Sequence, residues 1–309
     1  MSFSDRAATV GSRLMASVES MRSKISLPRW MIIPVIALLL VLSFLAWRQL
    51  PPDRSPSYQL AAVVAGLGVV SLFMNSIEFR LTAVLAGTTV SPMTSLRTVL
   101  TGTIANILPL PGSQIVRIAV LTSRGVPARL AVTRSLLVGA VWIAVAAALT
   151  VPLFFVDAGW PLLIIVLVIS SLAAVVLTRS AERSPRRSIH ITGLLATECS
   201  LVAFQVLRLL LLAKTLGIAL SLSGGAALTL SATVATGAAL LPSGLGLREG
   251  LSVLLGPLAG VERSEALVLS VADQALAYAT FALIAAAALL FKRRLAADLA
   301  EVDQATTAV

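Results

Sequence analysis

Charge is scarce in this sequence. Asp, Glu, Lys and Arg together make up 12% of its 309 residues, about half the share usual in soluble domains. So small a supply cannot coat a soluble domain of this length, and with 58% of residues apolar a disordered chain or a fibrous repeat is equally disfavoured. Cysteine and histidine occur once each. Cys199 lies in an apolar segment and His190 in a loop, so there is no disulfide framework, no Cys/His metal spacing and no redox pair. No basic stripe with interleaved aromatics accompanies the net charge of +10, which therefore calls for no nucleic acid. Lys and Arg collecting on cytoplasmic loops account for it. What remains is an all-α, polytopic integral membrane protein, with the bilayer as solvent for most side chains.

The first charge-free run is Trp30 to Trp47, about 27 Å of helix, with a tryptophan at each end where interfacial aromatics belong. It reads as an uncleaved transmembrane helix. The 29 preceding residues are too many for a usual signal n-region, and Leu45-Ala46-Trp47 is no small-residue cleavage site. Further spans are expected at Tyr58 to Ile77, Ser135 to Phe155, Pro161 to Thr178, Ile191 to Leu216 and Ala266 to Phe291, about six crossings in all. A cytoplasmic N-terminus puts Arg6, Arg13, Arg22, Lys24 and Arg29 inside, with the basic loop Arg179 to His190 and Lys292, Arg293 and Arg294. The outer loop Val156 to Trp160 then has no basic residue, while Arg48 and Arg54 are a tolerated outer minority. Both termini are expected in the cytoplasm. The division is a basic segment 1–29, one transmembrane domain 30–291 and a tail 292–309. Within the first segment Val10, Leu14, Val18, Met21 and Ile25 recur at helical spacing, which fits either an in-plane amphipathic helix or a solvated basic tail.

Two stretches are not simple spans. Around Leu108-Pro109-Leu110-Pro111-Gly112 the prolines and glycine break any helix, and the apolar flanks are too short to cross a hydrocarbon core of about 30 Å. The pattern recurs around Leu241-Pro242-Ser243-Gly244-Leu245-Gly246-Leu247-Arg248-Glu249-Gly250. In each, an arginine follows the bend proline by six positions: Arg117 after Pro111, Arg248 after Pro242. Two re-entrant half-helix hairpins are expected, entering from opposite faces as an inverted-topology repeat. Corresponding interrupted segments in two halves point to a transporter binding site. At the second bend, Gly244 and Gly246 let N–H groups converge at a half-helix start beside Arg248, which suits an anion at membrane depth. Close packing by the glycines, with Arg248 paired to Glu249 or a neighbouring helix, is the alternative.

Glu198, Arg208 and Asp273 fall inside apolar helices, where an unpaired charge is costly. Glu198 and Arg208 are about 15 Å apart along one helix and cannot meet. Arg208 and Asp273 count to the same depth, so an ion pair is expected between them, and Glu198 could reach Arg117 or Arg134. Structural pairing and ion coupling both remain open for these groups.

The motifs Asn106-Ile-Leu-Pro-Leu-Pro-Gly-Ser-Gln-Ile-Val-Arg117 and Leu241-Pro-Ser-Gly-Leu-Gly-Leu-Arg-Glu-Gly250 resemble those of the lysylphosphatidylglycerol synthase transmembrane region, or flippase-like, family, from the first span to about Leu290. The resemblance implies a membrane domain that moves or presents lipids. Some relatives carry a following aminoacyltransferase domain, and none is expected before Val309. Pro242, Gly244, Gly246, Arg248 and Glu249 match the family pattern, as do Arg117 and Arg134. Gln114 and Thr133 stand where an acid is common.

The leading reading is a lipid flippase or transporter in the plasma membrane, handling an anionic phospholipid or a polyprenyl-phosphate-linked lipid. Arg117, Arg134, Pro242, Gly244, Gly246, Arg248 and Glu249 form its substrate site, and Glu198, Arg208 and Asp273 serve pairing or coupling. Glu249 would orient Arg248 or bind a coupling cation. The protein is then not an enzyme and needs no cofactor or metal. A second reading is a non-transporting accessory subunit of a lipid-modifying synthase or glycosyltransferase. A membrane-embedded lipid transferase is disfavoured, for the spans carry no histidine and no Asp/Glu metal cluster, and no phosphate-binding Gly-rich loop with Lys occurs.

Overall fold

The computed structural model describes residues 57–106, 112–154, 185–238, 246–281 and 283–284, and all regular structure among them is helical. In chain order the helices are α1 (Tyr58–Leu85), α2 (Pro92–Ala105), α3 (Gly112–Ser123), α4 (Ala128–Phe154), α5 (Pro185–Thr215), α6 (Leu222–Ala238) and α7 (Leu247–Leu255). A 3-10 turn, Pro257–Ala259, leads to α8, described over 263–281. The expected spans Trp30 to Trp47 and Pro161 to Thr178 lie outside the described residues, as do the N-terminal segment and the C-terminal tail.

Among the described residues three helices are long and apolar enough to cross a membrane: Gln59–Leu85, Ala128–Leu153 and Ile189–Thr215. Their hydroxyl groups suit an apolar solvent, because Ser71, Thr82, Thr150 and Thr197 donate to the carbonyl four residues back. On α1, Val63, Val70, Phe73 and Ile77 form an exposed apolar stripe at steps of 7, 3 and 4. Such a stripe is satisfied by lipid.

Helix ends run beyond the charge-free runs. α1 continues past the expected end at Ile77 to Leu85 because Glu78, which closes the charge-free run, is neutralised inside the bundle. α4 starts at Ala128 rather than Ser135, and α5 at Pro185 rather than Ile191. His190, expected in a loop, is therefore helical: polar residues at the ends of these helices extend them past the apolar stretch, and Pro185 suits a first helical position.

The same order of parts occurs in residues 57–154 and again from residue 185 onward: a long helix, a short pair, a long helix. α1 ends with Gly87 N donating to Val84 O and Thr88 N to Ala83 O. α5 ends likewise, with Gly217 N donating to Lys214 O and Ile218 N to Ala213 O. Ser91 Oγ then accepts from Thr94 N at the start of α2, and Ser221 Oγ from Gly224 N at the start of α6. The turns before α4 and α8 also match, through Val126 N to Leu121 O and Val261 N to Gly256 O.

α2 and α3 pack as a hairpin. Arg124 Nη1, just beyond α3, donates to Thr89 O, just before α2, at 3.3 Å, so the chain enters and leaves the hairpin at one end of the bundle. At the tip of the hairpin Asn106 Oδ1 accepts from Ser113 N at 2.7 Å, supplying a partner for an N–H that the start of α3 leaves open. A Cβ on Gly112 would fall 2.3 Å from the Ala105 carbonyl carbon, so only glycine permits this approach. α6 and α7 form the second short pair, around residues 239–245, which are not described.

α1 and α5 pack antiparallel. A Cβ at Gly193 would meet Leu81 and one at Gly68 would meet Arg208, so numbers fall along one helix as they rise along the other. The turns flanking α2–α3 and those flanking α6–α7 consequently lie at opposite ends. Val64, Leu209, Leu228 and Leu269 form one apolar core around α5, α6 and α8. Leu72, Phe79, Val99 and Leu121 form another around α1, α2 and α3.

Candidate functional site

Two buried charge layers cross the bundle, about 15 Å apart along α5, by the ten-residue interval between Glu198 and Arg208. In the first, Arg117 on α3 grips Glu78 on α1 with both arms of its guanidinium: Nη1 to Oε1 at 2.7 Å and Nη2 to Oε2 at 2.9 Å. This fork-to-fork geometry is the strongest form of the pair. The Arg117 guanidinium also lies 5.8 Å from the Phe79 ring centroid. Glu198 on α5 faces this pair, with 1% of its surface exposed and neither carboxylate oxygen hydrogen-bonded.

In the second layer one carboxylate serves two arginines. Arg208 Nη2 donates to Asp273 Oδ2 at 2.9 Å, and its Nε lies 2.8 Å from Oδ1, in ion-pair contact but off the line of a hydrogen bond. Arg248 Nη2 donates to the same Oδ2, and Gln205 Nε2 adds a third donor at 3.1 Å. All four residues sit on helices: Gln205 and Arg208 on α5, Arg248 in the first turn of the short α7, Asp273 on α8. Arg248 Nε is buried without a hydrogen-bond partner.

Gly246 precedes α7 with φ +82°, a left-handed conformation that favours glycine, and Glu249 Oε2 accepts from its N–H at 2.6 Å. Glu249 is thus turned onto the backbone that starts α7, and Arg248 pairs with Asp273 rather than with Glu249. Glu249 Oε1 is buried with no hydrogen bond. Pro242 and Gly244 lie outside the described residues.

The structure brings Arg208, Arg248 and Asp273 together. Arg117 is held by Glu78, and Glu198 makes no ion pair with Arg117 or Arg134 among the described residues. Arg134 on α4 joins neither pair, its Nε buried without a hydrogen-bond partner. Gln114 Oε1 is buried in the same condition. Glu78 and Gln205 were not singled out by sequence reasoning. A signal for Glu78 exists: it stands nine residues before Gly87, as Arg208 stands nine before Gly217, but that equivalence needs the two matching turns to be known.

Helices sheathed in apolar side chains and pinned by internal ion pairs define a helical membrane protein. The chain belongs to the lysylphosphatidylglycerol synthase TM region family, which it matches over residues 11–286. No curated protein and no solved structure matches it.

Proposed function

We propose that this protein moves or presents an anionic lipid across the plasma membrane, as a flippase-like transporter. The observation that carries the reading is the second charge layer. Arg208 and Arg248 share the single carboxylate of Asp273 in the bundle interior, at the start of a half-helix. Two guanidinium groups share one carboxylate as their ion-pair partner, and the neighbouring acid Glu249 is turned onto the Gly246 N–H instead, so Arg248 keeps a buried Nε donor to offer an anion. A phosphate-bearing head group supplies that anion, while its acyl chains stay in the bilayer beside the apolar helix faces. Arg248, Gly246 and Glu249 are assigned to this site together with Pro242 and Gly244. Arg117 and Arg134 are assigned to the corresponding site in the first half.

On this reading the two four-helix units are an inverted-topology repeat with six crossings, and α2–α3 and α6–α7 are its re-entrant hairpins. The short helices support it: α2, α3, α6 and α7 have 14, 12, 17 and 9 residues, giving about 14 to 26 Å, less than a hydrocarbon core. Charge supports the orientation. Exposed Arg80, Arg97, Arg124 and Arg129 gather at the end bearing the turns of the first hairpin, whereas Lys214, Glu262, Arg263 and Glu265 at the opposite end cancel. The positive-inside rule then puts the first hairpin's turns, and both termini, in the cytoplasm.

The test is transbilayer movement in liposomes carrying the purified protein, with labelled anionic, zwitterionic and polyprenyl-phosphate lipids. Selective movement of phosphate-bearing anionic lipids is expected. No movement of any of them by folded protein would refute transport and favour an accessory role beside a lipid-modifying synthase or glycosyltransferase.

A further inference from the structure

Glu198 has no role in the lipid site described above, and its surroundings ask for one. Among the described residues it is the buried acid with both carboxylate oxygens free of hydrogen bonds. Facing it are Glu78 from α1 and Arg117 from α3, with Cys199 its neighbour on α5. α4, which also packs on α5, carries Arg134, and α6 has no ionisable residue. Both Nη groups of Arg117 are already given to Glu78. The layer therefore holds two acids and one base, the reverse of the imbalance around Asp273. An ionised carboxylate in such surroundings has no donor to offset its lost hydration, and a small cation would supply that offset.

We propose that Glu198 binds a proton, and that its uptake from one side of the membrane and release to the other couples lipid movement to the proton gradient. This rests on the transport reading. With the proton bound, Glu198 is neutral and Arg117 stays on Glu78, holding α3 against α1. On release, the Glu198 carboxylate competes with Glu78 for Arg117 and loosens the α3 contact. The proton is the only species exchanged; no other bond forms or breaks.

Two measurements on the full chain in lipid separate this inference from the transport reading. In infrared difference spectra across a pH titration, the wild type should show a protonated-carboxyl band that Glu198→Gln lacks. In Glu198→Asp the band should move rather than vanish. Glu78→Gln, which frees Arg117 to pair with Glu198, should weaken it. A band unchanged in Glu198→Gln, or absent from the wild type, overturns the assignment whether or not lipid moves. In liposomes, lipid movement by wild type should respond to an imposed pH gradient, and Glu198→Gln should lose that response. A response to a sodium gradient alone would overturn the proton as the coupling ion.

Discussion

A carboxylate shared by two arginines has an unequal sensitivity to mutation that a simple ion pair lacks. Asp273→Asn keeps the shape of the side chain but leaves Arg208 and Arg248 as two buried cations with no acid between them. Removing one partner of a buried pair costs about 3–5 kcal/mol, and here two cations lose their partner, so the upper end applies. Arg208→Met is different. Asp273 keeps Arg248 and the Gln205 amide, the remaining pair is neutral, and methionine fills the space of the arginine stem. The loss is then that of the hydrogen bonds to a charged group, about 1.5–3 kcal/mol. Equilibrium unfolding in mixed micelles titrated with a denaturing detergent measures both. Asp273→Asn should be the more damaging by at least about 1 kcal/mol, and adding Arg208→Met to it should recover part of the loss. Equal costs for the two single variants, or no recovery, would refute the shared-carboxylate account.

Three further outcomes are expected. Gly112→Ala would drive a Cβ to 2.3 Å from the Ala105 backbone; overpacking of this kind costs about 1–3 kcal/mol, and the same unfolding titration should show it. Around the second bend, Gly246→Ala should destabilise by about 1–2 kcal/mol because φ is +82°, whereas Gly250→Ala, helical with nothing within 4 Å of its Cβ, should be neutral or stabilising by up to about 1 kcal/mol. Cys199 is exposed on α5, a helix long and apolar enough to cross a membrane, while its neighbour Glu198 is buried; a lipid-soluble maleimide should label it in intact membranes and a water-soluble one should not, and labelling by the water-soluble reagent would place that face in water.

Composition and hydropathy make the long helices legible, because lipid imposes one requirement along a whole span. Their ends are less so. A span boundary drawn at the first charge stops at Ile77, and the reason α1 continues is Arg117, 39 positions further on and invisible to any local window. The interrupted segments are legible from Pro109, Pro111, Pro242 and their glycines, since these residues act on the backbone locally. Counting residues from helix ends sets Arg208 and Asp273 at one depth. The same counting is silent on Arg248, whose short helix, Leu247–Leu255, follows an interrupted stretch and gives no span end to count from. Glu249 illustrates the limit for chemistry: its charge is plain in the sequence, but its use in capping Gly246 depends on a left-handed backbone that only the structure displays.

On the proposed reading, the Arg248 charge draws a lipid phosphate to the second bend. The measurement that tests it most directly compares wild type, Arg248→Lys and Arg248→Ala, each shown to be folded, for transbilayer movement of one labelled anionic phospholipid in liposomes. Movement is expected by wild type, partial movement by Arg248→Lys, which keeps the charge but not the planar fork, and none by Arg248→Ala. Undiminished movement by folded Arg248→Ala would contradict that reading.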